Sequence, residues 1–302
     1  MRKKMKIKKI GIIVNEEKDK DLNITEKIIN YLNEKGIDVY LPGEIIAIVS
    51  KSDKIRPLRE PYQELNMFLS LGGDGTMLKA ARLAAPYKIP VCGINLGGLG
   101  FLTQIGLQEI DACLPYILNN NYQIEERMML SGFIMRDGKK QGDFYCLNDI
   151  VVAKKLFARL IDLDMYINEE YVIQYAADGL IVSTSTGSTA YSLSAGGPII
   201  YPALKNIIIT PICPHTLSAR ALVVHHKDII KLIIRSKSQE VMLTVDGQEG
   251  FTLKENDIIL VQESDNKAQL VTFPEKNFFG ILRKKLKWSG RVLPNILEEH
   301  NL

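Results

Sequence analysis

Between an apolar stretch and an alanine-rich one stands the sharpest chemical signal in the chain, Gly72-Gly73-Asp74-Gly75-Thr76. Glycines let backbone N–H groups approach an anion closely, and the start of the helix predicted over 77–85 adds a favourable dipole. Phosphate suits such a loop. It is neither a Walker A loop nor a dinucleotide fingerprint, because it lacks the Lys-Ser/Thr pair and the G-x-G-x-x-G spacing. The carboxylate at its centre would repel phosphate, unless Asp74 faces a hydroxyl awaiting activation or a metal ion that neutralises the phosphates. Phosphoryl transfer to an alcohol needs such an acceptor, and positioned base catalysis supplies roughly 10²–10⁴-fold. The competing reading is a tight turn in which Asp74 only caps the helix.

A second set of residues shifts that balance. Leu147-Asn148-Asp149 stands at the start of an apolar strand, where an amide beside a carboxylate can read the donors and acceptors of a ribose or a base. By itself it is also an Asx turn. The run from Ala177 to Pro198 then strings together a buried strand, a hydroxyl-rich turn (Ser183 to Thr189), Tyr191 and the pair Gly196-Gly197. Small and hydroxylated residues admit a polar ligand closely, and Tyr191 offers a ring face or a phenol to a base. The bland alternative is a capped helix start packed on a strand.

These segments must be positioned by ordinary elements. Ile7 to Val14 reads as a buried strand, and Asn23 to Lys35 as a helix with Ile24, Ile28 and Leu32 at helical spacing, stopped by Gly36. Strands follow at 37–41, 67–71 and 89–94, the last running into a second glycine loop, Asn95 to Phe101. This half predicts a doubly wound α/β unit with ligand at the carboxyl ends of its strands. After a helix at about 107–118 the character changes near Tyr122. Short, alternating, β-branched segments at 129–136, 165–167, 171–175, 229–234 and 241–245 are separated by Asp137-Gly138 and Asp246-Gly247, predicting a mostly β second unit. One helix is expected to follow Thr186 to Tyr191.

Length and composition bound the rest. With 302 residues, 46% of them apolar and 24% charged, the chain has room for two domains with real cores. A net charge of +3 is too balanced to make nucleic acid the default partner. No apolar run approaches a membrane span, and the basic start lacks the apolar length of a secretory signal, so a cytoplasmic protein is expected. Cys92, Cys113, Cys146 and Cys213 are scattered without metal-ligand spacing, and the adjacent pair His225-His226 points to opposite faces of a strand. No side-chain metal cluster is predicted.

Together these residues resemble the bacterial NAD kinases. The likeness runs from the β–α–β opening through GGDGT, NLGGLGFL (95–102), LND, DGLIVSTSTGSTAYSLSAGGPI (178–199), PHTLSARALVV (214–224) and Lys287-Trp288-Ser289. GGDG alone is shared with diacylglycerol-type and sphingosine-type lipid kinases and, loosely, with phosphofructokinases. The resemblance implies ATP-dependent phosphorylation of the 2′-hydroxyl of the adenosine ribose of NAD, giving NADP. It implies a Rossmann-like α/β unit over 1–122, joined by a returning segment 273–302, and a β-rich NAD-binding unit over 123–272. Asp74 would accept the hydroxyl proton, within a phosphate loop of Gly72, Gly73, Gly75 and Thr76. NAD contacts would come from Asp74, Gly75, Asn148, Asp149, Ala176, Asp178, Thr189, Ala190, Tyr191, Ser192, Leu193, Ser194 and Gln248, with Arg159 aligned only approximately. A divalent cation, magnesium or manganese, would accompany ATP without a tightly bound organic cofactor. NAD and ATP are the expected partners, with no nucleic acid or membrane, in a homodimer or homotetramer.

Three residues depart from the family pattern: Ser185 where proline is common, Ala176 where arginine is, and Asp149 where glutamate is. Two other functions compete. A lipid or sugar kinase sharing only GGDG would leave the Asn148-Asp149 and Thr189–Ser194 groups without a purpose. A non-catalytic NAD sensor would have no need of a carboxylate beside a phosphate loop.

Overall fold

The computed structural model describes residues 6–49, 52–155, 159–236, 241–274 and 276–288. The first half is β1 (Lys9–Val14), α1 (Asn23–Glu34), β2 (Asp38–Leu41), α2 (Gly43–Ile46), β3 (Ile55–Pro57), β4 (Met67–Gly72), α3 (Asp74–Ala84), β5 (Pro90–Asn95), β6 (Ile105–Gly106) and α4 (Ile110–Leu118). Its strands pair in parallel, in the order β5-β4-β1-β2-β3. Helices cover such a sheet on both faces, which is why β4 is buried at every residue and reads as an unbroken apolar run. Thr25, Ile28, Ile29 and Leu32 of α1 face the sheet. Gly36 then adopts φ +77°, the left-handed turn that ends the helix.

The second half contributes β7 (Gln123–Arg136), β8 (Lys139–Cys146), β9 (Asp149–Lys154), β10 (Ile161–Ile167), β11 (Glu170–Ala177), β12 (Gly179–Thr184), α5 (Tyr191–Ser194), β13 (Asn206–Ile212), β14 (Leu222–His225), β15 (Ile230–Ile234), β16 (Val241–Val245), β17 (Glu249–Leu253), β18 (Ile258–Thr272) and α6 (Phe278–Leu286). Six strands form an antiparallel sheet in the order β14-β13-β12-β9-β16-β17. The others extend the first sheet, because β18 pairs with β7 and β15 and, at Gln269 and Leu270, lies parallel to β5. One twelve-stranded sheet therefore runs through both halves. The sequence pattern pointed to a mostly β second half but not to β18 or to this continuity, since a two-residue pairing leaves no periodicity of its own.

The helix expected after Thr186 is reduced to a 3₁₀ turn, Gly187–Thr189, and the single turn of α5. Gly196, at φ +89°, and Pro198 stop it there. The predicted helix at 107–118 opens as a 3₁₀ turn at Leu107–Glu109 before becoming α4. Beyond β18 the chain returns to the first half: the Phe273 N–H donates to Gln104 Oε1 (3.1 Å), Lys276 pairs with Glu109 (2.5 Å), and Lys285 lies over the Phe101 ring. Ser289 and the rest of the tail lie outside the described residues. Among the described residues no helix is long and apolar enough to cross a membrane. The four cysteines form no disulfide.

Three apolar clusters hold these layers together. One fills the space within the β-rich half, one packs α1 and α4 on the parallel sheet, and the third packs α3 against Met129, Leu147, Ala268 and Leu270 of the second half. The third makes the two halves one folding unit. Leu270 is 2% exposed at that seam, so Leu270→Ala is expected to cost about 2–5 kcal/mol in urea unfolding. An unchanged midpoint would show that the seam contributes nothing to stability.

Candidate active site

Adjacent parallel strands that end at one height bring their following loops side by side. Gly72 is the register partner of Asn95 at the carboxyl ends of β4 and β5, so the two glycine loops emerge together. None of Gly72, Gly73 or Gly75 has positive φ; close approach explains the first two. A Cβ on Gly72 would meet Thr76 Oγ1 at 2.2 Å.

Asp74, the first residue of α3, reaches across to the second loop. Its Oδ2 accepts the Phe101 N–H (2.8 Å), while Oδ1 accepts the N–H groups of Leu102 (3.1 Å) and Thr103 (3.2 Å) and the Thr103 hydroxyl (3.2 Å). Asn95 Nδ2 donates to that hydroxyl at 2.7 Å, and the Asn95 side-chain oxygen accepts the Gly97 N–H at 2.9 Å. The carboxylate is thereby held in one orientation, with Oδ2 the less occupied oxygen. Gly100 permits this: a Cβ there would stand 2.1 Å from Asp74 Oδ1. A cleft of about 370 Å³ lies alongside, lined by Asn15, Lys18, Gly73, Asp74, Lys79 and Gln248 among others.

The six-stranded sheet brings its own residues to the same place. Asp246, in the turn after β16 and at φ +50°, accepts the N–H groups of Leu147 (3.1 Å), Asn148 (2.8 Å) and Asp149 (3.2 Å). That grip shapes the Asn148-Asp149 turn. Thr184 donates its N–H to the Asn148 carbonyl (2.9 Å) and its hydroxyl to the Leu147 carbonyl (2.6 Å), and a Cβ on Gly187 would collide with Asn148 O. So Asn148, Asp149 and the Thr184–Gly187 turn that leads into the Thr189–Ser194 segment form one packed unit. Burial and the charge of Asp246 push the Asp149 carboxyl up to about 7. Burial also raises Asp246, against the pull of its three backbone donors.

Gln248 joins this unit to the first loop. Its Nε2 donates to the Gly75 carbonyl at 2.6 Å, and its Oε1 accepts from Arg82 Nη2 at 3.1 Å. Arg82, buried on α3, also pairs with Glu249 at 3.0 Å. Residues 10–122 match the family model of the ATP-NAD kinase N-terminal domain, and residues 147–273 that of the ATP-NAD kinase C-terminal domain. The chain belongs to the ATP-NAD kinase family.

Its relatives agree along nearly the whole length. It is 44% identical to the NAD kinase of Caldanaerobacter subterraneus subsp. tengcongensis, over 93% of this chain and 99% of that one. The NAD kinase of Moorella thermoacetica is 45% identical over 94% of this chain and 91% of its own. Among solved structures, the yeast NADH kinase complexed with NADH superposes with a TM-score of 0.84 at 25% identity, covering 96% of this chain and 91% of that one. An NAD kinase from Archaeoglobus fulgidus in complex with ATP gives 0.71 at 25% identity, over 93% of this chain and 100% of that one. The chain is thus an enzyme, a kinase.

Not every sequence-derived site residue joins this cluster. Tyr191 and Ser194 are exposed, and Thr189, Ala190 and Leu193 are half-buried. The Ser192 hydroxyl is buried against Thr210 Oγ1 at 2.8 Å, so that side chain serves packing. Asp178 pairs with Lys154 at 2.6 Å. Because Ser183 is the register partner of Asp149, Asp178 lies roughly 17 Å away along β12. Ala176 shares that far edge, where its carbonyl accepts the His215 N–H; Arg159, exposed, precedes β10. Sequence reasoning saw the second glycine loop up to Phe101 but not that Phe101, Leu102 and Thr103 bond Asp74, chiefly through backbone N–H groups, and saw in Asp246 only a turn. Arg82 left no signal because an arginine in a helix reads as a solvated face.

Two outcomes follow from this geometry. Gly100→Ala is expected to displace the Asp74 carboxylate and lower turnover at least about tenfold, with an unchanged far-ultraviolet spectrum; wild-type turnover would show that the grip on Asp74 is dispensable. Between pH 4 and 7 the folded chain keeps a proton on Asp149 that the unfolded chain releases, so this pair's contribution to stability falls as pH rises through that window. The melting temperature of Asp149→Asn should fall less than that of the wild type from pH 5 to 8; parallel curves would remove the pair as the cause.

Proposed function

We propose that Asp74 is the proton acceptor in the ATP-dependent phosphorylation of NAD that family membership assigns to this chain. The 2′-oxygen of the adenosine ribose attacks the γ-phosphorus in line, the bond to the β-phosphate oxygen breaks, ADP leaves, and the hydroxyl proton passes to Asp74 Oδ2. The observation that carries this is the held carboxylate. A helix cap would bond its own helix's N–H groups, whereas Asp74 bonds the opposite loop and sits at the cleft beside the phosphate loop Gly72–Thr76. Asn148, Asp149, Thr189, Ala190, Tyr191 and Ser194 lie on the neighbouring unit, suited to hold a dinucleotide. With its raised pKa, Asp149 can donate as well as accept a hydrogen bond near neutral pH. Gln248 acts on the loop through the Gly75 carbonyl.

Among the described residues no group of three or more His, Cys, Asp or Glu converges, and Asp74 already receives four donors. Among the described residues the side chains form no cation cage of their own. A magnesium or manganese ion borne on the phosphates of ATP belongs to the donor substrate. Within one chain Arg159, Ala176 and Asp178 stand at the strand ends away from Asp149, which a homodimer or homotetramer would resolve by setting one copy's far edge beside another's loops. The division at 122 and 272 and a cytoplasmic site of action are part of the same reading.

Purified protein with ATP and magnesium should convert NAD to NADP and leave diacylglycerol untouched; the reverse preference would favour a lipid kinase, and NAD binding without product a sensor. Asp74→Asn keeps the shape and removes the acceptor. Its turnover should fall by roughly 10²–10⁴-fold with NAD affinity largely retained, and near-normal turnover would sink the role of Asp74.

A further inference from the structure

A third loop reaches the carboxyl edge of the parallel sheet. Val14, at the end of β1, is the register partner of Leu71, and the Asn15 N–H donates to the Leu71 carbonyl at 2.8 Å, one residue beyond the strand. The Asn15 side-chain oxygen then accepts the Lys18 N–H at 3.1 Å, turning the chain back toward the glycine loops. Lys18 Nζ comes to rest 2.7 Å from where a Cβ on Gly73 would stand and 3.5 Å from the corresponding point on Gly97. Two bare glycines make room for it. Among the described residues Lys18 forms no ion pair, although acids abound nearby in sequence.

An unneutralised ammonium against a glycine loop answers the difficulty that Asp74 raises, a negative charge beside the group being transferred. The cleft's other lysine, Lys79, rises from the second turn of α3 and is not among the atoms that a Cβ on Gly73 or Gly97 would meet. The geometry points to Lys18 as a catalytic residue that holds the terminal phosphoryl group of ATP over Gly73 during transfer. Its three N–H donors match the phosphoryl oxygens, across which negative charge is spread in the transition state. No bond to Lys18 forms or breaks; it neutralises charge while the phosphorus moves from the β-phosphate oxygen to the 2′-oxygen.

This assignment rests on the NAD kinase reading, and its test separates the two. Lys18→Met is expected to lower kcat/KM for ATP by about 10–100-fold, with KM for NAD within about twofold of wild type and an unchanged melting temperature. Lys18→Arg should recover part of the loss, because the charge returns with altered geometry. An unchanged kcat/KM for ATP, or a loss confined to KM for NAD, overturns it. Should the wild type form no NADP, the functional reading fails by itself. Calorimetry with ATP alone then decides Lys18: weaker binding to Lys18→Met supports the contact, and equal binding refutes it.

Discussion

The bond between Asp74 and the backbone of residues 101–103 is the constraint on which the site depends. One carboxylate gathers three consecutive N–H groups and a hydroxyl from a loop on the neighbouring strand. Charge-assisted bonds of this kind are stronger than neutral ones, and losing the acceptor would leave those donors unmet. The start of α3 is thereby tied to the exit of β5, and the cleft between the loops has a defined width. The same bonds orient Asp74 before any substrate arrives.

The second half repeats the device. Asp246 gathers the N–H groups of residues 147–149 as Asp74 gathers those of 101–103. The settings differ. Asp246 is buried beside a second carboxylate, and both titrate above the ordinary range, whereas Asp74 opens onto a cleft. One grip shapes a recognition turn and the other presents a reactive group. Gln248 and Arg82 couple them, since one glutamine side chain touches both the Gly75 carbonyl and the Arg82 guanidinium. The β18 strand and the apolar seam around Leu270 keep the two units from drifting apart.

Much of this was legible in the residues. The β–α–β opening, the helix after GGDGT and the β-rich second half follow from periodicity and glycine stops, because local pattern reports which face of an element is buried. Asp74 stood out because a carboxylate among phosphate-loop glycines demands a chemical reason. A hydroxyl-rich start predicts a longer helix than the four-residue α5, because nothing local shows that the Gly196 turn cuts it short. Asn148 and Asp178 flank the neighbouring strands β9 and β12, yet the antiparallel register puts them at opposite ends of that strand pair.

By itself the sequence determined the α/β character of the first half, the β-rich character of the second, the phosphate-loop carboxylate and the family, all of which are written in local order and spacing. Only the tertiary structure decided what Asp74 bonds, that Asp246 and Asp149 share a buried site, that Ser192 faces the core, and that Lys18 overhangs Gly73. The physical reason is common to these. Each depends on atoms far apart in the chain meeting at an edge where strands end in register, and several of the partners are backbone N–H groups that every residue type carries alike.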